Sequence, residues 1–198
     1  MFELLIFNSY DCLEHWTEKF FEARLPSWFL ASVHSPHEFY GGLAAFRIYR
    51  ETHDASWLER GVQCRSIVQL WNEHGSSWNW EHRYWLLVAE ENFCHMNFDD
   101  AEAAYNNAIA SAKSHRFVND EALAHELAGH LYLNEGMTVE SLQHFASAFE
   151  KYIEWGATAK VNMIFDFIQE QFGVTTPGLQ ETNHISADNE DTHKRSYN

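Results

Sequence analysis

The stretch Asp99-Asp100-Ala101-Glu102-Ala103-Ala104-Tyr105-Asn106-Asn107-Ala108-Ile109-Ala110-Ser111-Ala112 decides the fold. Ala101, Ala104, Tyr105, Ala108, Ile109 and Ala112 fall at i, i+3, i+4, i+7, i+8 and i+11, which draws one apolar stripe along a helix. Small residues on that stripe mark where a second helix backbone comes close. About forty positions later the theme recurs. Phe93 and Asn97 are echoed by Tyr132 and Gly136, and Ala108 and Ala112 by Ala148 and Tyr152. Residues 97–158 therefore read as a helical hairpin written twice. Units of that length cannot bury their apolar faces alone and must stack.

Helix punctuation extends the pattern in both directions. Ser35-Pro36-His37-Glu38 reads as a capping box with proline at the first helical position, opening a helix to about Thr52. Asp54 or Ser56 caps the next, which ends near His74 with Gly75 in the left-handed C′ position. Asn79-Trp80-Glu81 opens a helix to about His95, and Asp99 opens the alanine-striped one to about Ser114. Asn119-Asp120-Glu121 opens another, closed by Gly136. Thr138 opens a long helix ending at Trp155-Gly156, and a last one runs from about Ala157 to Phe172 before Gly173. Short connections make neighbouring helices antiparallel. Three hairpins follow, over 36–74, 79–114 and 119–155, with 157–172 as a closing helix. An earlier helix over 10–24 stops before Pro26 and keeps Leu13, Trp16 and Phe20 on a helical period; the apolar stretch 27–33 is too short to assign. No segment alternates with period 2, so no sheet is expected. The expectation is an all-α, right-handed α-solenoid over 1–173, with about three hairpins plus N-terminal and closing helices. A disordered acidic and polar tail is expected over 174–198.

Composition restricts function. A hydrophobic content of 45% and eight Trp are ample for a core, and the net charge is −16. So acidic a surface repels phosphate backbones and anionic lipid, so neither nucleic acid nor membrane is an expected partner. No apolar run approaches the roughly 20 residues that span a bilayer. The start, Met1 to Phe7, lacks the features of a signal peptide. Cys12, Cys64 and Cys94 form no disulfide framework, which favours a reducing compartment, the cytoplasm. Cys64 and Cys94 read as buried small hydrophobes. The thirteen histidines read as compositional bias rather than a pH switch.

No chemistry-bearing constellation survives its plainer reading. His125 and His130 are five apart, about 500° of helical rotation, so their rings point roughly 140° apart and cannot chelate one ion. The segment Trp71–Trp85 is dense in aromatics and reads as a turn whose Trp side chains fill the gap between hairpins. Asp11, Glu14 and His15 read as a solvated face, Asp99-Asp100 as complements to a helix dipole, and Glu90-Glu91 as exposed helix surface. No catalytic, cofactor-binding or metal-ligating residue is assigned, and no enzymatic activity is expected.

Two phrases carry a family likeness. One is Asp120-Glu121-Ala122-Leu123-Ala124-His125-Glu126-Leu127-Ala128-Gly129-His130-Leu131-Tyr132-Leu133. The other is Phe149-x-x-Tyr152-x-x-Trp155-Gly156-Ala157-x-Ala159-Lys160-Val161. Together with Phe39-Tyr40-Gly41-Gly42-Leu43-Ala44, they resemble the tetratricopeptide-like region of large multidomain signalling proteins. In those proteins a kinase-like domain and an AAA-type (Orc1-like or STAND) ATPase precede the repeats, and a sensor histidine kinase or nucleotide cyclase follows. The likeness covers roughly 39–165. There is no Gly-x-x-x-x-Gly-Lys-Ser/Thr and no kinase motif, so only the helical-repeat piece is represented. The resemblance implies a protein-interaction or scaffolding module that grips a partner segment in a groove. With this charge the expected partner is a basic segment or an adjoining signalling domain. The alternatives are a passive spacer within a larger ATPase or kinase protein and, least favoured, a helical-bundle enzyme.

Overall fold

A computed structural model of the chain describes residues 10–22 and 31–174. All its elements are helices: α1 Tyr10–Glu22, α2 Ala31–Thr52, α3 Ala55–His74, α4 Ser77–Cys94, α5 Phe98–His115, α6 Val118–Asn134, α7 Thr138–Trp155 and α8 Thr158–Phe172. No strand occurs among the described residues. The predicted tail, apart from Val174, and residues 27–30 lie outside them.

The alanine stripe is the inner face of α5. Ala101, Ala104, Tyr105, Ala108 and Ala112 are all buried, with Ile109 half-buried at its edge. From α2 onward to α7, connections of two or three residues hold each helix against the next. The most extensive packing is within the pairs α2/α3, α4/α5 and α6/α7; α2 also touches α4, and α4 touches α6 only slightly. One apolar cluster runs from α1 to α6, with Phe39, Phe46, Leu86 and Leu87 at its centre. A second joins α6, α7 and α8 around Phe145, Tyr152 and Ile164.

Close helix approach is made by glycine. At Gly61 on α3 an added Cβ would lie 2.5 Å from the Phe46 ring of α2. At Gly129 on α6 it would meet the Phe145 ring of α7 at 2.9 Å. Beside that contact the Ser141 hydroxyl donates to the Gly129 carbonyl at 2.9 Å. Backbone and ring share space that any side chain on α6 would fill.

Helix ends depart from the sequence reading in informative places. α2 begins at Ala31 and takes Pro36 into the helix, so Ser35 lies inside the helix rather than at its start. Glu38, its expected capping partner, is buried instead and accepts a hydrogen bond from the Cys64 thiol at 3.4 Å. Gly75 is not left-handed, with φ −108° and ψ −103°. Glycine is needed there because a Cβ would sit 2.6 Å from the Trp71 carbonyl oxygen. Gly136, Gly156 and Gly173 do adopt positive φ, but so do His53, Met96 and Arg116, which carry no glycine signal. Of the two expected caps for α3, Asp54 takes the role, accepting from the Ser56 N–H at 2.9 Å.

The expected exposure of Glu90 and Glu91 is overturned, and the acids that open α6 are buried. Glu90 is 1% exposed rather than on the surface, because Arg50 reaches it from α2. Asp120 and Glu121 are in the first turn of α6 but turn inward, toward α4 and α7. Glu91 is half-buried and pairs with Arg65. Trp16, expected on the buried stripe of α1, is 53% exposed, while Leu13 is buried.

Two expectations follow for stability. A glycine-to-alanine change inside an exposed helix stabilises by up to about 1 kcal/mol. Gly61→Ala reverses that sign, because the displaced Phe46 ring is fully buried; overpacking costs about 1–3 kcal/mol, read as a lowered melting midpoint. In the α6–α8 cluster, Lys160→Met strands the buried Glu126 carboxylate and destabilises by about 3–5 kcal/mol. The double change Glu126→Leu with Lys160→Met recovers most of that loss. A double variant no more stable than the single one refutes the pairing.

Candidate functional site

Helices α2, α4 and α6 present their C-terminal halves to one side and leave a groove between them. The groove holds two adjoining cavities. One, of about 320 Å³, is lined from α2 by Arg47, Arg50 and Glu51, from α4 by Glu90 and Phe93, and from α6 by Leu127, His130, Leu133 and Asn134. The other, of about 370 Å³, takes in Tyr49, His53, Cys94, Met96, Phe98, Leu131 and Glu135. Arg50, Phe93 and Asn134 line both cavities and form the wall between them.

Arg50 is fixed from three sides. Its guanidinium lies 2.7 Å from a Glu90 carboxylate oxygen and 4.4 Å over the Phe93 ring. It also donates to the Cys94 sulfur at 3.8 Å. Glu90 accepts a second bond from the Tyr105 hydroxyl on α5. Burial works against the charge on Arg50, but the Glu90 carboxylate outweighs it and raises the arginine pKa. Burial likewise pushes the Cys94 thiol up to about 12, so it stays protonated and donates to the Phe46 carbonyl at 3.3 Å. Arg47 lies one turn earlier, 3.9 Å from Glu51. Burial and the neighbouring Arg50 lower its pKa, against the pull of Glu90, Glu51 and Glu126.

Two further buried charge clusters involve α6. His82 Nε2 on α4 is 2.8 Å from Asp120 on α6, and Arg83 Nε donates to the same oxygen at 2.9 Å. Burial alone would raise the Asp120 pKa; the His82 hydrogen bond and the Arg83 charge hold it below the ordinary carboxylate value. An ionised carboxylate only accepts, so His82 carries its proton on Nε2. Its Nδ1 has no partner, and its ring stacks on Phe117 with centroids 4.4 Å apart. On the far side Glu126 accepts from Lys160 at 2.6 Å and from the Tyr152 hydroxyl at 2.7 Å. These groups are buried between helices, where they bind helix to helix.

The residues singled out in the sequence distribute as follows. His125 and His130 share α6 but not a site. His130 points into the second core, edge-on to Phe145 at 5.0 Å and Phe167 at 5.4 Å. His125 meets His144 of α7. Of the aromatic segment, Trp71, Trp80 and Trp85 pack against the first core, with the Trp71 and Trp80 rings 4.9 Å apart. Trp78 is 57% exposed and lies on His115. Glu14 and His15 are exposed, and Glu14 accepts from the Trp57 indole at 3.3 Å; the Asp11 side chain lies outside the described residues. Cys64 is buried, Cys94 half-buried and Cys12 exposed. The groove residues Arg47, Arg50, Phe93 and Asn134 carry no sequence motif, because they are assembled from three helices by packing.

No helix among the described residues is long and apolar enough to cross a membrane. Compared with protein-family models, curated proteins and solved structures, the chain finds no match.

His130 gives the groove wall an acid limit. Burial pushes its pKa down to about 4; Glu126 and Glu90 pull it up, while Arg47 and Lys160 push it further down. In the unfolded chain its pKa is about 6.5. The unfolded state therefore binds more protons between those values. The stability tied to neutral His130 is complete above about pH 6.5 and falls as pH drops toward 4, by about 3 kcal/mol in all. His130→Leu should flatten the decline of the melting midpoint over that window. An unchanged acid slope in the variant contradicts the assignment.

Proposed function

We propose that this chain is a protein-interaction module whose groove, between the first helices of three stacked hairpins, grips an extended or helical partner segment. The observation that carries the reading is the wall of Arg50, Phe93 and Asn134, shared by two adjoining cavities and drawn from α2, α4 and α6. A chain of pairwise-packed helices with its first helices along one side supports a tetratricopeptide-like, right-handed solenoid of antiparallel hairpins. Such stacks present grooves of this kind to peptides. The guanidinium groups, the Asn134 amide and the Phe93 face offer donors, an acceptor and an apolar platform within one groove. The sequence resemblance supports placement in a signalling assembly, and the lack of a disulfide framework supports the cytoplasm. The net charge of −16 supports a partner with basic character beyond the groove itself, attracted at long range and released by salt.

The test uses the whole protein as bait in native extract. Asn134 is exposed on the shared wall, so Asn134→Trp occludes both cavities without disturbing the core. Val139, 64% exposed and lining neither cavity, supplies the control Val139→Trp. Partners retained by the parent and the control, lost by Asn134→Trp and cross-linked to α2, α4 or α6 support the groove. Identical capture by all three proteins refutes it.

A further inference from the structure

His125 on α6 and His144 on α7 bring their Nδ1 atoms to 3.2 Å. Their ring centroids are 5.3 Å apart, with planes inclined at 45°. The two residues are on different helices of the third hairpin, so packing makes the pair. Tyr132 stacks on His144 with centroids 5.0 Å apart, and its hydroxyl donates to Glu102 of α5. The His144 ring is thereby held from a second side. Both histidines are half-buried rather than sealed.

We infer that His125 and His144 form a site for a borderline divalent cation such as Zn²⁺ or Cu²⁺, held by the two Nδ1 atoms with water completing its coordination. Zinc–nitrogen bonds are about 2.0–2.1 Å, and two of them at the tetrahedral angle hold their nitrogens roughly 3.3 Å apart. The two rings already stand at that separation. As they stand, one Nδ1–H donates to the lone pair of the other, an arrangement of two neutral imidazoles. Binding needs a lone pair on both. The donating ring shifts its proton from Nδ1 to Nε2, so the exchange of tautomers releases no net proton and needs no redox partner.

The surroundings set the ion. No group of three or more His, Cys, Asp or Glu among the described residues could hold a metal, so the protein supplies two ligands. Two imidazoles without carboxylate suit zinc, copper or nickel and not magnesium or calcium. Glu102 acts favourably on His144, while Lys113 and Lys151 act against positive charge at His125. Lys151 is itself compensated by Glu154 at 2.9 Å and Glu121 at 3.4 Å. Neither histidine lines the groove cavities, so the site stands or falls apart from the groove.

The experiment takes the full, tag-free chain stripped with chelator and titrates it with zinc chloride by calorimetry. Circular dichroism verifies the fold of each variant. One saturable site is expected, lost in His125→Ala and in His144→Ala. It persists in His74→Ala, which removes an exposed ring elsewhere on the surface. The melting midpoint should rise with zinc in the parent and not in His144→Ala. Electron paramagnetic resonance of the Cu²⁺-loaded parent should show coupling to two nitrogens, a readout that needs no variant to fold. Absence of a saturable site, binding undiminished in both variants, or a copper spectrum without two nitrogen couplings overturns the proposal.

Discussion

The structure depends on carboxylates that have left the surface and must be answered where they lie. Glu90 joins α4 to Arg50 of α2. Asp120 joins α6 to His82 and Arg83 of α4. Glu126 joins α6 to Lys160 of α8. Each bridge skips one helix in sequence, so together they form a line through α2, α4, α6 and α8. A buried carboxylate without its partner is costly, and the cost is set by geometry. Sliding one hairpin along the next by a single turn would move the bridge between them by about 5.4 Å and strand its anion. Apolar packing tolerates such slippage far better. We therefore assign the register of the helices to the bridges and the bulk of their cohesion to the apolar clusters.

The bridges also explain why a groove exists. Within each pair, small residues bring backbones together: Gly61 admits the Phe46 ring, and Gly129 admits Phe145. Between α4 and α6 the backbones make little direct contact. There the long side chains of Arg83 and Asp120 span the gap, and the space toward the helix C-termini is left to Phe93, His130 and Asn134. Close approach inside the pairs and charge bridging between them are complementary. The first gives each hairpin its rigidity. The second holds neighbouring pairs apart and leaves the space that the two cavities occupy.

How much of this was legible in the sequence follows from which forces are local. The alanine stripe and the left-handed glycines Gly136, Gly156 and Gly173 are properties of one turn of chain and are legible there, whereas Gly75 ends its helix without the expected left-handed turn. The pairing 36–74, 79–114 and 119–155 matches the most extensive packing, since short connections leave little choice of neighbour. The errors share one cause. Glu38, Glu90 and Asp120 were read by local rules, as capping or solvated residues, but their partners are 26, 40 and 38 positions away or nearly so: Cys64, Arg50 and His82. The same blindness hid His144 from His125, whose partner was sought one turn along its own helix. Pro36 misled for a related reason. It looks like a helix start, yet the helix continues through it, and Glu38 is drawn into the core from that extended helix.

The acidic surface is itself a consequence of the interior. The chain has 13 basic residues against 29 acidic ones. Arg50, Arg83 and Lys160 answer buried carboxylates, Arg65 is half-buried against Glu91, and Arg60 lies 4.4 Å over the Trp57 ring. Arg50, Arg83, Lys160 and Arg65 are each withdrawn from the solvated face together with an acid, and Arg60 without one, so the ratio of acid to base outside becomes more lopsided than the sequence count. Arg47 and Arg50 stand in the groove wall beside Glu51 and Glu90, so the cations there are already answered by carboxylates. Under the proposed reading, long-range attraction toward a basic partner therefore comes from the acids left on the surface rather than from the lining of the groove.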